Sequence, residues 1–377
     1  MNPLAALAYY RHNKKRLLLL FLPVLLCVLL IFLIQILIAS SISLEYRAFV
    51  ETRKAYTSIE ARGKPIAAST IAAIAMHEDT ERVAPCILHH TEIVSLLSRV
   101  GVRVYLLYEP DMALLMTRMN LTLVSGQLPR PGSDEIILHE TIAANKGLTI
   151  GDRFGNDLNP AEPLLGQHTV AGLVSGEALC GFASLESWTN LHQVWQPEEY
   201  GVLAIAKLER HNAMSRYIKY LPLTGNELSD YTISSMNLAE STNRIYLLIN
   251  IIFVAVLLIN SICVSFLTYL FSFGRLREFA LLNMIGYNRQ LLLRRNLVDV
   301  FLINSAATLV AISLALLVCL VANRLFFQPS GIPLSLTSAQ AWLSCLCVPL
   351  ASLLAEILAI NSVFRHLDPL SLLERDY

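Results

Sequence analysis

Residues 245–273 read IYLLINIIFVAVLLINSICVSFLTYLFSF, and residues 274–295 continue as GRLREFALLNMIGYNRQLLLRR. The first stretch carries no charge and is longer than the roughly 20 apolar residues that cross a bilayer as a helix. The second sets Arg275, Arg277, Arg289, Arg294 and Arg295 against Glu278 alone. Phe279, Leu281, Leu282, Met284 and Ile285 fall at helical spacing, so a short amphipathic helix follows the span. Gly286 breaks it, and Tyr287–Asn288–Arg289 starts a new helical run. An amphipathic helix between two spans, on a basic side, suits docking of a partner at the membrane face. A helix that merely lies on lipid fits the same pattern.

Three more apolar blocks flank this one. Leu17–Ala39 and Val300–Asn323 are uncharged, and Ala339–Phe364 is interrupted only by Glu356. Together they explain the composition: 55% hydrophobic and 15% charged over 377 residues. A soluble domain carries about 25% charged residues. Disorder is excluded by the same figures, and zero net charge gives no electrostatic case for nucleic acid. The first block is too long for a signal-peptide core and is read as a retained helix. Lys and Arg gather in the N-terminal tail and in the 274–296 connection, which places both termini and that connection in the cytoplasm.

The expected division is a cytoplasmic N-terminal amphipathic segment (1–16), a first span (17–43) and an external domain (44–240). Then follow a second span (241–273), the cytoplasmic connection (274–296), a third span (297–326), an external loop (327–338), a fourth span (339–364) and a cytoplasmic tail (365–377). In the external domain, Leu44–Ala75 is rich in helix formers and continues the first helix outward. Val102–Tyr108, Glu135–Leu138 and His168–Val174 read as strands, and Glu140–Gly147 as a helix closed by glycine. The fold class is therefore a membrane protein with four transmembrane helices and one large mixed α/β domain between helices 1 and 2.

Chemistry-bearing motifs are absent from the sequence. There is no G-x-x-x-x-G-K-[ST], H-E-x-x-H, C-x-x-C or G-x-S-x-G. No catalytic, cofactor or metal residues are assigned, and the chain is expected not to be an enzyme. His89 and His90 point to opposite faces of any strand and read as a solvated pair. Cys86 and Cys180 either form a disulfide or remain two buried thiols. Glu356 reads as a carboxylate facing the bundle near an interface. Asn250, Asn260 and Asn304 read as glue between helices.

Arg277–Gly286, REFALLNMIG, resembles the R-E-[IF]-x-[IL]-L-x-x-[IL]-G signature of FtsX-like ABC transporter permeases. The N-terminal NPLAALAYYRHNKKR and the closing Asp368–Pro369–Leu370–Ser371–Leu372–Leu373 resemble the same family. So does the order of one span, a large external domain and three spans. Leu123–Pro129, Asp134–Glu140, Ala143, Gly147–Asp152 and Thr169–Gly172 resemble the run of a MacB-type periplasmic core domain. A departure lies at the third span, where Asn304–Ser305–Ala306–Ala307 stands in place of glycines. Asp299 holds the family's acidic position.

The resemblance implies that Arg275, Arg277, Glu278, Phe279, Leu282, Ile285 and Gly286 form a coupling helix that docks on an ATPase. Arg277 and Glu278 would make polar contacts, with Leu282 and Ile285 filling a groove. It implies separate ABC ATPase subunits that bind ATP-Mg, a second permease copy as homo- or heterodimer, room for an adaptor or accessory protein, and a bacterial inner or plasma membrane. The implied function is a permease, or mechanotransmission, subunit that couples ATP hydrolysis to export or extraction of a peptide, lipid or other amphiphile. An FtsX-like activator of an external cell-wall hydrolase and an ATPase-independent receptor are the alternatives.

Overall fold

The computed structural model describes residues 10, 12–61, 65–95, 99–191, 201–223, 226–336 and 338–365. Most of the expected N-terminal amphipathic segment, the tail and its Asp368–Leu373 motif lie outside these residues. In chain order the elements are α1 (Lys14–Glu45), β1 (Tyr56–Glu60), α2 (Ala68–Met76), β2 (Thr80–Val94), β3 (Arg99–Leu107), α3 (Glu109–Arg118), β4 (Thr122–Gly126), β5 (Glu135–His139), α4 (Glu140–Lys146) and β6 (Arg153–Phe154). Then come β7 (His168–Ser175), β8 (Cys180–Ser184), α5 (Leu185–Leu191), β9 (Gly201–Ala206), α6 (His211–Lys219), β10 (Glu227–Ser229), α7 (Tyr231–Phe273), α8 (Leu276–Met284), α9 (Arg289–Ala322) and α10 (Ala339–Arg365).

Two compact units result. A helical unit holds the chain up to Ala39, Ile245–Ala322 and the chain from Ser335. An α/β unit holds Ser40–Arg244 and Asn323–Leu334. Among the described residues four helices are long and apolar enough to cross a membrane: α1, α7, α9 and α10, the first and third extended by short π or 3₁₀ turns.

The α/β unit is built on a sheet in the order β10-β1-β9-β2-β3-β8-β5-β7-β4, with β6 on β7. Its pairs are antiparallel except β3–β8 and β5–β7. The long strand β2 joins two lobes. Thr80–Cys86 pair with β9, and Ile87–Val94 pair with β3. Alternation then sorts the side chains by face. Val100, Val102, Val104 and Leu106 enter one core with Ile136 and Leu138. Tyr105, Leu107, Ile137 and Phe182 enter the core on the other face.

The stretch Leu44–Ala75 departs from expectation. The α-helix ends at Glu45, a π-helical turn (Tyr46–Val50) and a 3₁₀ turn (Glu51–Lys54) follow, and β1 begins at Tyr56. Burial is the reason: Tyr56 and Ile59 are fully buried in two different cores, which only an extended strand can serve. The connection between α9 and α10 also departs. Residues 323–334 fold as part of the α/β unit, with Ile332 in its core. Asn145 of α4 holds the loop, donating through Nδ2 to Ser330 O (3.2 Å) and Val94 O (3.0 Å). Gly331 has φ +73°, and a Cβ there would lie 2.7 Å from Thr141 O.

The disulfide alternative is corrected. Cys86 and Cys180 are buried free thiols. Cys86 lies on β2 and Cys180 on β8, with β3 between them. Two strand spacings are about 10 Å, beyond the roughly 7 Å that a disulfide spans. Burial pushes both thiols well above their usual pKa, so both stay protonated.

Candidate functional site

The connecting helix α8 is set by local signals at both ends. Glu278 lies in its first turn, where a carboxylate favours the helix dipole. Gly286 ends it at φ +103°. Tyr287 N donates to Leu282 O and Gly286 N to Asn283 O, each at 3.1 Å, so the left-handed glycine satisfies the last carbonyls. Asn288 then caps α9, its Oδ1 accepting from Gln290 N at 3.1 Å.

Tertiary packing divides the expected docking residues into two sets. Phe279 is 2% exposed and packs with Leu292, Val300, Ile360 and Phe364, its ring 5.1 Å from that of Phe364. Arg275 is also buried. Its guanidinium lies 4.9 Å from the Phe279 ring, and its Nε donates to Glu278 at 3.2 Å. Leu282 is half-buried against the same cluster. Phe279 and Arg275 thus lie on the side of α8 that packs on the bundle, with Leu282 half-buried at its edge. The outward face is Arg277, Glu278, Leu281, Met284 and Ile285, all exposed. Positions 277, 281, 284 and 285 follow the i, i+4, i+7, i+8 rule of a single helix face. Leu281 and Met284 belong to this apolar face and were not among the expected docking residues. Helical spacing alone did not show which side α9 and α10 cover.

Behind α8 the bundle is tied by side-chain hydrogen bonds between helices. Glu356 of α10 is 1% exposed and accepts from Thr268 Oγ1 of α7 (3.0 Å) and from Asn304 Nδ2 of α9. One carboxylate thus joins three helices. Asn260 Nδ2 donates to Ser352 Oγ and Asn296 Nδ2 to Ser272 Oγ, each at 3.0 Å. Asn260 and Asn304 bond between helices as expected; Asn250 is exposed instead.

The α/β end of α7 is anchored separately. Asp230 precedes the helix and is 1% exposed. Its Oδ1 accepts from Ile233 N (2.7 Å), and its Oδ2 faces Lys219 Nζ (3.0 Å) and accepts from Ser215 Oγ. Burial acts to raise its pKa. The Ser215, Ile233 and Lys219 donors outweigh that, and the carboxyl ends below the usual carboxylate range.

The histidine pair is corrected in part. His90 is exposed, but His89 is buried with its ring 4.4 Å from Trp188 in an edge contact. Among the described residues no three His, Cys, Asp or Glu converge as a metal site.

No family model matches the chain, and no curated protein matches it. Solved structures do show likeness. The periplasmic region of MacB from Actinobacillus actinomycetemcomitans is similar at 12% identity and TM-score 0.32, covering 52% of this chain and 95% of that one. The extracellular domain of the noncanonic ABC-type transporter YknZ from Gram-positive bacteria is similar at 7% identity and TM-score 0.28, covering 44% and 92%. A domain from a Porphyromonas gingivalis protein described as a permease is similar at 12% identity and TM-score 0.27, covering 48% and 92%.

Proposed function

We propose that this chain is the permease, or mechanotransmission, subunit of an ABC transporter, working with separate ATPase subunits and a second permease copy. The outward face of α8 carries the reading. Two charged groups and three apolar side chains project together, on a helix fixed from behind by Phe279, Leu282 and the buried Arg275. ATP-Mg belongs to the partner, and this chain supplies no catalytic group.

The coupling path would begin with ATPase closure pushing α8. The continuous helix α7 would carry the displacement. Its 43 residues make about 65 Å of helix, roughly twice the hydrocarbon thickness of a bilayer. Asp230 would transmit it to α6, and the clamped 323–334 loop would tie α9 and α10 to the same α/β unit. In this reading the α/β unit is extracytoplasmic, both termini are cytoplasmic, and cargo is a peptide, lipid or amphiphile handled outside the bilayer.

The test is co-purification of the chain with the ABC ATPase subunits of its own cell. Leu281→Asp with Ile285→Asp should abolish the complex, because a carboxylate must be desolvated in each apolar contact. The same variant should still insert and melt as the parent does. A complex of unchanged affinity would sink the docking assignment.

A further inference from the structure

The α/β unit contains a cavity of about 780 Å³ that coupling does not use. Sheet topology places it. β3 and β8 run parallel, β5 and β7 run parallel, and β5 opposes β8. The C-terminal ends of one pair therefore meet the N-terminal ends of the other. Between them lie the turn before β5, the loop from β6 to β7, and α5. The volume is within the range of pockets that hold drug-sized molecules.

The walls are preformed. Asn156 N donates to Leu164 O, and Asn156 Oδ1 accepts from Gly166 N, each at 2.8 Å. Gly155 has φ +140°, and a Cβ there would lie 2.0 Å from Gly166 O, so the two arms of that loop touch through backbone. Gly132 N donates to Ser184 Oγ at 3.0 Å, tying the β5 turn to the end of β8. Trp188 is held edge-on against His89 and forms a buried wall. His168 Nε2 bonds Leu165 O at 2.9 Å. Burial holds its imidazole below the usual pKa, so it is neutral at pH 7. Rigid walls lower the ordering cost of binding.

The lining has one sign of charge. Asp134 and Asp157 line the cavity with Ser133, Asn156 and Gln167, and among the described residues no Lys or Arg does. Both carboxylates are exposed, and neither has an ion-pair partner among the described residues. Arg130, close by in sequence, is held by Glu135 through Nε (3.0 Å) and Nη2 (2.6 Å). An anion would meet two like charges. A cation would meet both carboxylates, while Trp188 and the half-exposed Leu165 offer apolar contact to an adjoining group.

We propose that this cavity binds a small cationic ligand of dipeptide size, an ammonium or guanidinium group beside an apolar one, such as a segment of a basic peptide. The site lies wholly within the α/β unit and does not rest on ATPase docking.

Calorimetric titration of the full chain in neutral detergent tests it, with lysyl-phenylalanine amide as probe. The neutral N-acetyl-norleucyl-phenylalanine amide and an anionic glutamyl counterpart are the comparisons. The dication should bind about tenfold tighter than the neutral peptide, and salt at about 0.5 M should remove most of that difference. Asp134→Asn with Asp157→Asn should erase the preference while leaving the melting temperature unchanged, since both groups are exposed. Equal binding of the three peptides, no binding of the dication, or a double variant that keeps the preference would each overturn the proposal. None of those outcomes bears on the complex with the ATPase, which is read separately.

Discussion

The two units bury polar groups by different means. In the α/β unit, buried charge meets charge. Asp230 faces Lys219, Glu162 faces Lys146, and Asp111 faces Arg82. In the helical unit, Glu356 is satisfied by Thr268 and Asn304, both neutral. The α/β unit has water at its rim, so a Lys or Arg can bury its stem and keep its head wet. A bundle in lipid has no such rim, and a cation brought in as partner would add its own desolvation cost. The α/β unit thus meets its buried carboxylates with cations, whereas within the spans Glu356 relies on neutral hydrogen bonds; the helical unit's own ion pair, Arg275 with Glu278, lies in the connection between α7 and α9.

Four changes would break or sharpen that contrast. Phe279→Ala should cost most, about 3–5 kcal/mol for a buried aromatic, because it empties the cluster that holds α8 on α9 and α10. Thermal melting of the detergent-solubilised chain would read it; a loss under about 1 kcal/mol would mean that packing is not what fixes α8.

Asp230→Ala should cost somewhat less, about 2–4 kcal/mol, by removing a helix cap and leaving a lysine unpaired. Lys219 is about one-third exposed, which keeps the figure below that of a fully buried pair. Faster hydrogen exchange at the start of α7, starting with Ile233, is the local signature.

Acidification comes next. Burial lowers the pKa of His139 and His211 as it does that of His168. A depressed pKa contributes stability that is present above the unfolded value, near 6.5, and is lost as pH falls below it. The α/β unit should therefore weaken between about pH 7 and pH 5, with Asp230 adding a second loss below about pH 4. His139 should contribute most visibly, since its Nδ1 accepts from Thr141 N (3.1 Å) and its Nε2 bonds Gly176 O (3.0 Å). Protonation would cancel the first of these bonds. A melting temperature flat across that range would contradict the assignment.

Glu356→Gln should be the mildest, under about 1 kcal/mol, because an interhelical bond in a bundle is worth about 0.6 kcal/mol and the amide keeps an acceptor for Thr268 or Asn304. A loss larger than that of Asp230→Ala would reverse the comparison.

Much of the local structure was legible in the sequence because the responsible groups are neighbours along the chain. Gly147 at φ +66° closes α4 as expected, and Gly286 ends α8 as expected. The strand reading at Glu135–Leu138 lies within β5, where burial is continuous. β2 was missed. Pro85 and the polar run His89–His90–Thr91 obscure its alternation. Pro85 is tolerated there because it lies where β2 passes from β9 to β3, an edge-like position. The cavity was missed too, since Asp134, Asp157 and Trp188 are brought together only by the crossing of two strand pairs.

The sequence by itself determined which segments are long and apolar enough to leave water, where short helices start and stop, and that the 274–295 connection is amphipathic. These follow from residue type and from spacing within a few turns, so no distant partner is needed. Tertiary structure alone decided that Phe279 faces inward and Leu281 outward, that residues 323–334 belong to the α/β core, and that β3 separates Cys86 from Cys180. Each of those depends on which surface a residue meets from far along the chain, and periodicity does not carry that information.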